Sequence, residues 1–283
     1  PSPRLFKQPK WDGSFLGNKT ILVHAEQGFG DTFQFVRFLP MVKAKGGRVI
    51  FECQKKLSPL LKSCIGIDEI IEHTGSDELQ IHFDTHIPLL SLPGLFHVDL
   101  NTLPAKVPYI FADPALTEVW RKRLNGDNTF KIGIVWAGNP KSVLYHSRTC
   151  PLAEFGVLNQ IKGVTFFNLQ KGSEASKIAD LPNNMKVVNH ESALKSLSDT
   201  AALIANLDMV ISTDNGVAHL AGALGKPMWV LTAHSPDWRW MLDREDSPWY
   251  PTARLFRQPE QGDWKTVMRR VADELLIMVN GKL

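Results

Sequence analysis

Two α/β domains, each carrying a doubly wound, mostly parallel sheet, are what this sequence predicts. Three observations predict them. The chain has 283 residues, long for one doubly wound domain and comfortable for two. Short apolar, β-branched runs alternate with helix-like stretches, and the alternation restarts halfway along the chain. Between the two arrays lies the strongest mid-chain turn cluster, Asn125-Gly-Asp-Asn128. Residues 1–126 and 127–283 are therefore expected to be the two domains.

In the first array, residues 1–18 read as a lead-in arm without a clear period. Thr20 to His24 is a buried strand, and Ala25 to Asp31 is a glycine-containing turn. A helix-like segment carrying Phe33, Val36, Arg37, Pro40 and Met41 runs to about Lys45, where Gly46-Gly47 stops it. Arg48 to Cys53, Asp68 to Glu72 and Ile81 to Ile87 read as strands, and Ser58 to Cys64 as a short helix. Residues 88–108 read as a loop and Ala115 to Leu124 as a helix with a basic end. In the second array the strands are Lys131–Trp136, Val164–Leu169, Met185–Val188, Leu207–Ser212 and Pro227–Leu231. The helices are Leu197–Asn206, Gly216–Leu224 and an amphipathic Trp264–Val279, with Val267, Val271, Leu275 and Met278 on one face.

Composition narrows the function classes. Apolar residues make up 43% and charged residues 22%, as in ordinary globular proteins. A formal net charge of +3 is too small to imply a nucleic-acid partner or a membrane surface. No apolar run is long enough for a transmembrane helix. Cys53, Cys64 and Cys150 are few, odd in number and far apart, so neither a zinc site nor a disulfide framework is expected. A reducing, cytoplasmic setting is the expectation. The chain starts at Pro1 rather than Met, which leads us to expect sequence upstream of it.

Candidate chemistry clusters at strand ends. A strand that ends in a glycine turn and opens a helix offers free N–H groups and the positive end of a dipole to an anion. Gly28 and Gly30 match the first two glycines of a dinucleotide fingerprint, but Phe33 stands where the third belongs, so a nicotinamide site is a poor fit. Asp31 is either a first-turn acid stabilising its own helix or a carboxylate placed to take a proton from an acceptor hydroxyl. Glu26 is a second candidate base. His24, at the end of a buried strand, reads as a core histidine.

In the second array, Ser212-Thr-Asp-Asn-Gly-Val-Ala-His219 joins a strand to a helix with residues that serve both as caps and as diphosphate contacts. Gly138, Asn139 and Lys141 follow another strand, with His146 and Arg148 adding positive charge. Gln170 and Lys171 end a third strand. Trp238 and Trp240 flank Arg239 and could stack on a sugar or base, or simply pack. The candidate diphosphate contacts are Gly138, Asn139, Lys141, Arg148, Gln170, Lys171, Thr213, Asp214, Asn215, Gly216 and His219. The acceptor or sugar is assigned Glu26, Gln27, Gly28, Gly30, Gln34, Trp238 and Arg239.

Gly30-Asp31, with Pro40 closing the segment, resembles the Gly-Asp motif of glycosyltransferase family 9, the heptosyltransferase-like proteins. Thr213 to Leu220, followed by Gly225-Lys-Pro227, resembles that family's donor motif. The resemblance extends to the glycosyltransferase-like region that follows tetratricopeptide repeats in many bacterial proteins. It rests there on His24 to Asp31, Trp136 to Pro140, Leu169 to Gly172, Asp237 to Trp240 and Ser247 to Tyr250, and spans residues 10–276. It implies a GT-B architecture, two Rossmann-like domains facing a central cleft. It also implies a cytoplasmic, metal-independent and inverting transferase, with Asp31 as base and Thr213, Asp214, Gly216 and His219 at the donor. The chain departs from the pattern at Asn215 and in loop 141–147.

The expected activity is sugar transfer from a nucleoside diphosphate sugar to an acceptor hydroxyl, without a cofactor. The acceptor (glycan, lipid saccharide or protein) stays open, and an upstream tetratricopeptide-repeat domain is an expected neighbour. A sugar-nucleotide epimerase and a non-catalytic nucleotide-sugar-binding or interaction module are the alternatives.

Overall fold

The computed structural model describes residue 4 and residues 6–73, 81–182 and 185–281. Parts of the lead-in arm and of the termini lie outside the described residues. Two all-parallel sheets organise the chain. The first has the order β3-β2-β1-β4, from β1 (Gly17–His24), β2 (Gly46–Cys53), β3 (Glu69–Glu72) and β4 (Thr85–Pro88). The second has the order β10-β9-β8-β5-β6-β7, from β5 (Phe130–Val135), β6 (Val164–Asn168), β7 (Val187–Val188), β8 (Met209–Thr213), β9 (Met228–Thr232) and β10 (Ala253–Arg257). Crossover connections put helices over the faces and keep the strand interiors apolar.

The segment read as one helix from Phe33 to Lys45 is three pieces. They are α1 (Phe29–Phe35), a 3₁₀ turn at Val36–Phe38 and α2 (Leu39–Lys43). Pro40 has no N–H to return to Val36 and its ring crowds that carbonyl, so the ladder resets there. Other short elements are α3 (Ser58–Leu61) and α4 (Leu92–Leu95), the latter inside the segment read as a loop. Then come α5 (Pro114–Arg123), α6 (Tyr145–Arg148), α7 (Leu197–Ala205), α8 (Gly216–Ala223) and the long α9 (Trp264–Asn280). β10 was not anticipated, because five residues between turns carry little periodic signal.

One face of the first sheet, with Ile21, Val23, Val49, Phe51 and Ile87, packs under the helices. The other carries Leu22, Ile50 and Phe83, and among the described residues the lead-in arm rather than a helix lies against it. Phe6 packs there, Trp11 N donates to His86 O at 2.8 Å, and Thr85 Oγ1 donates to Pro9 O at 2.8 Å. The second sheet is wound on both faces. The α7–α8 side holds Val210, Met228 and Val230, and the α9 side holds Ile134, Ile211 and Leu231. By Tyr109 the chain already touches the second unit, since Tyr109 N and Ile110 N both donate to Ala223 O, at 3.0 and 3.2 Å. Helix α5 packs on α7, although it precedes the turn at Asn125–Asn128.

Strand order fixes where ligand chemistry can sit. In open parallel sheets the crevice forms where neighbouring strands send their connections in opposite directions. That occurs between β1 and β4 in the first sheet and between β5 and β8 in the second. The motifs after β1, β5 and β8 therefore occupy the two crevices. The units meet through α1 and α8 and share one continuous apolar core.

Gly222 on α8 is where Tyr250 packs. A Cβ there would lie 2.4 Å from Tyr250 Cδ1. Gly222→Ala should cost about 1–3 kcal/mol in urea unfolding. Gly138→Ala, whose Cβ would meet nothing closer than Asn215 Cβ at 3.9 Å, should stay within about 0.5 kcal/mol. Equal stabilities would refute the packing argument.

Candidate functional site

Asp31 sits in the first turn of α1, and its two carboxylate oxygens have different partners. Oδ2 accepts the Gly28 N–H at 2.9 Å, closing the helix start. Oδ1 accepts from Arg239 Nη2, a residue 208 positions away in the second unit. Asp31 thus closes the start of its own helix and also reaches a residue of the second unit.

Arg239 opens a chain of alternating charge. Its Nη1 bonds Asp237 Oδ1 at 2.8 Å, and its Nε donates to Gln34 Oε1. Asp237 Oδ2 accepts Arg148 Nη2 at 2.9 Å, and Arg148 Nη1 lies 3.1 Å from Asp214 Oδ2. Burial raises the Asp214 carboxyl, against the pull of Arg148. Burial also pushes Asp237 up, but hydrogen bonding and charge from Arg239 win and hold it below the usual carboxylate range. His219 is buried beyond, with Nε2 3.8 Å from Asp214 Oδ1 and Nδ1 2.9 Å from the Tyr250 hydroxyl. Its ring stacks on Trp240, with centroids 5.4 Å apart. Burial, helped by the charge of Arg239, lowers its pKa to about 3.

The α1–α8 crossing brings the two halves together. A Cβ on Gly30 would fall 2.7 Å from His219 Cδ2, so glycine is needed beside Asp31. Gly216 lies close to Gly30 and Phe29. Asn215 caps α8, its Oδ1 accepting from Val217 N at 2.8 Å and Ala218 N at 3.4 Å. Its Nδ2 reaches Ser212 Oγ and Thr213 Oγ1, at 3.0 and 3.2 Å. Gly138 approaches Asn215 across the β5–β8 crevice.

Other expected donor residues are occupied by the fold. Gln170 is buried, and its Oε1 accepts from Trp136 N and Ala137 N at 3.2 and 3.0 Å. Lys171 Nζ donates to Glu191 O and Leu194 O at 3.1 and 2.9 Å. Asn139 Oδ1 accepts from Lys141 N at 3.0 Å, while both residues stay exposed.

In the first unit, Glu26 bridges the β1–β4 crevice, Oε2 accepting from Leu90 N at 2.9 Å. Burial raises its carboxyl. Gln27, Leu90, Val98, Leu103, Trp238 and Trp249 line a cavity of about 650 Å³ that reaches Asp237 and Arg239. Trp238 is 59% exposed and stands edge-on to Trp249. Among the described residues no group of three or more His, Cys, Asp and Glu is placed to share a metal ion.

Sequence reasoning passed over Asp237, Arg37, Tyr109 and Tyr250. One signal was present: Arg37 lies in Phe35-Val-Arg-Phe-Leu39, where a cation amid apolar residues marks a buried, partnered guanidinium. Arg37 is indeed buried, donating through Nε to Gln34 O at 2.8 Å, and through Nη1 and Nη2 to Trp249 O and the Tyr109 hydroxyl, each at 2.6 Å.

Residues 159–272 match the family model of glycosyltransferase family 9 (heptosyltransferase). Protein FlbA of Caulobacter vibrioides is 29% identical over 287 residues, which cover 94% of this chain and 48% of that protein. The chain therefore spans about half the length of the curated relative it matches. The family 9 glycosyl transferase of Veillonella parvula superposes with a TM-score of 0.71 at 13% identity, over 96% of this chain and 99% of that one. The ADP-heptose lipopolysaccharide heptosyltransferase II of E. coli gives 0.66 at 15% identity, over 93% and 99%. The GT-B architecture and the resemblance to family 9 are borne out. No described helix is long and apolar enough to cross a membrane.

The site also sets an acid limit on stability. His24 and His219 both have pKa values lowered to about 3, chiefly by burial, from 6.5. A lowered folded-state pKa gives stability that is complete above the unfolded value and is lost as pH falls from 6.5 towards 3. Raised Asp214 acts in the opposite sense. Urea unfolding between pH 7.5 and 4.5 should therefore show stability falling below pH 6.5, by at most about 1.4 kcal/mol per pH unit for each histidine. His24→Gln should flatten the slope by one histidine's share, and an unaltered slope would refute the assignment.

Proposed function

From a carboxyl-terminal region of the family 9 glycosyltransferase type, we propose that this chain transfers a sugar from a nucleoside diphosphate sugar to an acceptor hydroxyl. One observation carries the reading. The α1–α8 crossing brings a carboxylate at the end of β1 against the helix start at the end of β8, the two places where an acceptor and a diphosphate belong. The E. coli structural relative is an ADP-heptose transferase by its description, which makes an ADP-sugar the first donor to try.

Asp31 takes the acceptor proton as the hydroxyl oxygen bonds to the anomeric carbon. The bond from that carbon to the diphosphate oxygen breaks, and the nucleoside diphosphate leaves with the electron pair. Attack from the face opposite the leaving group inverts the anomeric centre. Arg148 and the α8 start stabilise the charge on the leaving diphosphate. A guanidinium has five N–H donors, so pairing with Asp214 and Asp237 leaves donors for phosphate oxygens. Asp31 acts once Arg239 shifts from Oδ1. The carboxyl-side neighbours Thr213, Asp214 and Gly216, with Gly138 and Lys141, frame the donor. Gln27, Trp238 and the cavity beside them frame the acceptor, which is a glycan, a lipid saccharide or a protein.

A non-catalytic binding module is the second reading, favoured by the engagement of both Asp31 oxygens and of Arg148 and Arg239 in ion pairs. The two part in the assay. Asp31→Asn should lower ADP-sugar transfer about 10²–10⁴-fold and keep ADP binding, whereas Glu26→Gln should cost less than about tenfold. If Glu26→Gln carries the larger loss, Glu26 is the base. In a thermal-shift screen of ADP, UDP, GDP and their sugars, the true donor's nucleotide should raise the melting temperature. A shift without turnover would favour the binding module, and no shift with any nucleotide would defeat both readings.

A further inference from the structure

Asp237 is bonded to both guanidiniums of the charge chain between the two units. Its Oδ1 accepts from Arg239 Nη1 at 2.8 Å and from Arg239 N at 3.2 Å, and its Oδ2 accepts from Arg148 Nη2 at 2.9 Å. Each guanidinium also holds a second carboxylate, Asp214 for Arg148 and Asp31 for Arg239. Asp237 and Arg239 stand two positions apart, and Asp237 caps the turn Trp238–Trp240. Asp31 is the distant partner of Arg239, 208 positions away on the other unit.

Ion pairs that share members do not act independently. A diphosphate beside Asp214 draws on the spare N–H groups of Arg148. Arg148 keeps its place, but its charge is then divided among Asp214, Asp237 and phosphate oxygens. Asp237 is left to draw more strongly on Arg239. Their side chains are 16% and 10% exposed, so water compensates neither well. Arg239 can answer without losing its anchors, because Gln34 holds Nε and Nη1 already lies on Asp237. The cavity of about 650 Å³ that Arg239 lines gives the guanidinium space to turn. The bond that yields is the one to Asp31. That carboxylate is 20% exposed, and its Oδ2 keeps the Gly28 N–H at 2.9 Å, so it stays in place when Oδ1 is freed.

We propose, resting on the function put forward above, that Asp237 is a positioning residue that couples the donor to the base: a diphosphate drawing on Arg148 turns Arg239 wholly to Asp237, and Asp31 Oδ1 is uncovered for the acceptor proton. In the empty protein Arg239 covers the base. The cover lifts once the donor is seated, so the acceptor hydroxyl meets a free carboxylate oxygen only when there is a sugar to receive it. The engagement of both Asp31 oxygens is then the resting state of a catalyst.

Carbodiimide labelling with glycine ethyl ester, read by peptide mass spectrometry, reports how far the Asp31 carboxylate is uncovered. In the wild type, saturating ADP, or the one of UDP and GDP that binds in its place, should raise Asp31 labelling severalfold. In Asp237→Asn, whose amide oxygen can still cap the turn, the nucleotide should bind without raising it. The same variant should bind the nucleotide on the order of threefold more tightly, since a carboxylate no longer competes for Arg148. A structural defect would weaken binding instead. Arg239→Gln should leave Asp31 labelled to the same high level with and without nucleotide. Three results would each overturn the coupling and leave the proposed function standing. They are wild-type labelling that a bound nucleotide leaves unchanged or lowers, weaker binding by Asp237→Asn, and a labelling response that persists in that variant. If ADP, UDP and GDP all fail to bind the wild type, the proposed function fails and the coupling falls with it.

Discussion

Arg239 is the side chain on which the arrangement of this molecule turns. Its guanidinium is 10% exposed and holds Asp31, Gln34 and Asp237 at once. Through Asp237 it reaches Arg148 and Asp214, and through Gln34 it reaches the helix run that carries Arg37. Arg37 lies over the Tyr250 ring, 4.8 Å from its centroid, and Tyr250 and His219 lead back towards Asp214. The result is a ring of polar groups around the α1–α8 crossing, in which the guanidiniums of Arg239 and Arg148 alternate with the carboxylates of Asp31, Asp237 and Asp214.

A ring of this kind contributes little to net stability. Taking charges out of water costs several kcal/mol per ion, and an apolar replacement of equal volume is often as stable. Breaking it at one point is a different matter, because the partner is left buried and unpaired. The ring therefore enforces one relative placement of the two units, while the shared apolar core supplies the attraction between them. The apolar contacts alone would tolerate sliding of α1 over α8. The Arg239 guanidinium does not, since its planar fork spends one nitrogen on each of three acceptors, Gln34, Asp237 and Asp31, drawn from both units.

The sequence revealed the parts of this design that repeat locally. Apolar runs at Thr20–His24, Lys131–Trp136 and Leu207–Ser212 marked strands, and glycine or Asx residues after them marked the crevice loops. Asp31 and the stretch Thr213–His219 were legible for the same reason: a polar turn between a strand and a helix is a local pattern. The ring was not legible. Arg37 and Tyr109 stand 72 positions apart, Asp31 and Arg239 stand 208 apart, and no spacing rule links them. Lys171 misled for the complementary reason. A lysine at a strand end looks like a phosphate contact until the loop at Glu191–Leu194 is seen to offer it carbonyls. The first sheet's second face was also hidden, because an extended arm covers it with one aromatic residue, Phe6, and has no period to read.

Charge balance in the ring bears on how a diphosphate is held. With the guanidiniums already paired to carboxylates, a diphosphate entering beside Asp214 adds unbalanced negative charge. The start of α8 offers roughly half an elementary charge, and its cap Asn215 already takes the N–H groups of Val217 and Ala218. Arg148 can share its remaining donors but stays bound between Asp214 and Asp237. The missing positive charge has to come from outside the ring. Lys141 is exposed on the segment between β5 and Arg148, so on the proposed function it supplies that charge as the donor binds. The loop that follows β5 then supplies one half of a phosphate site whose other half, Arg148 and the α8 start, is set by Arg239.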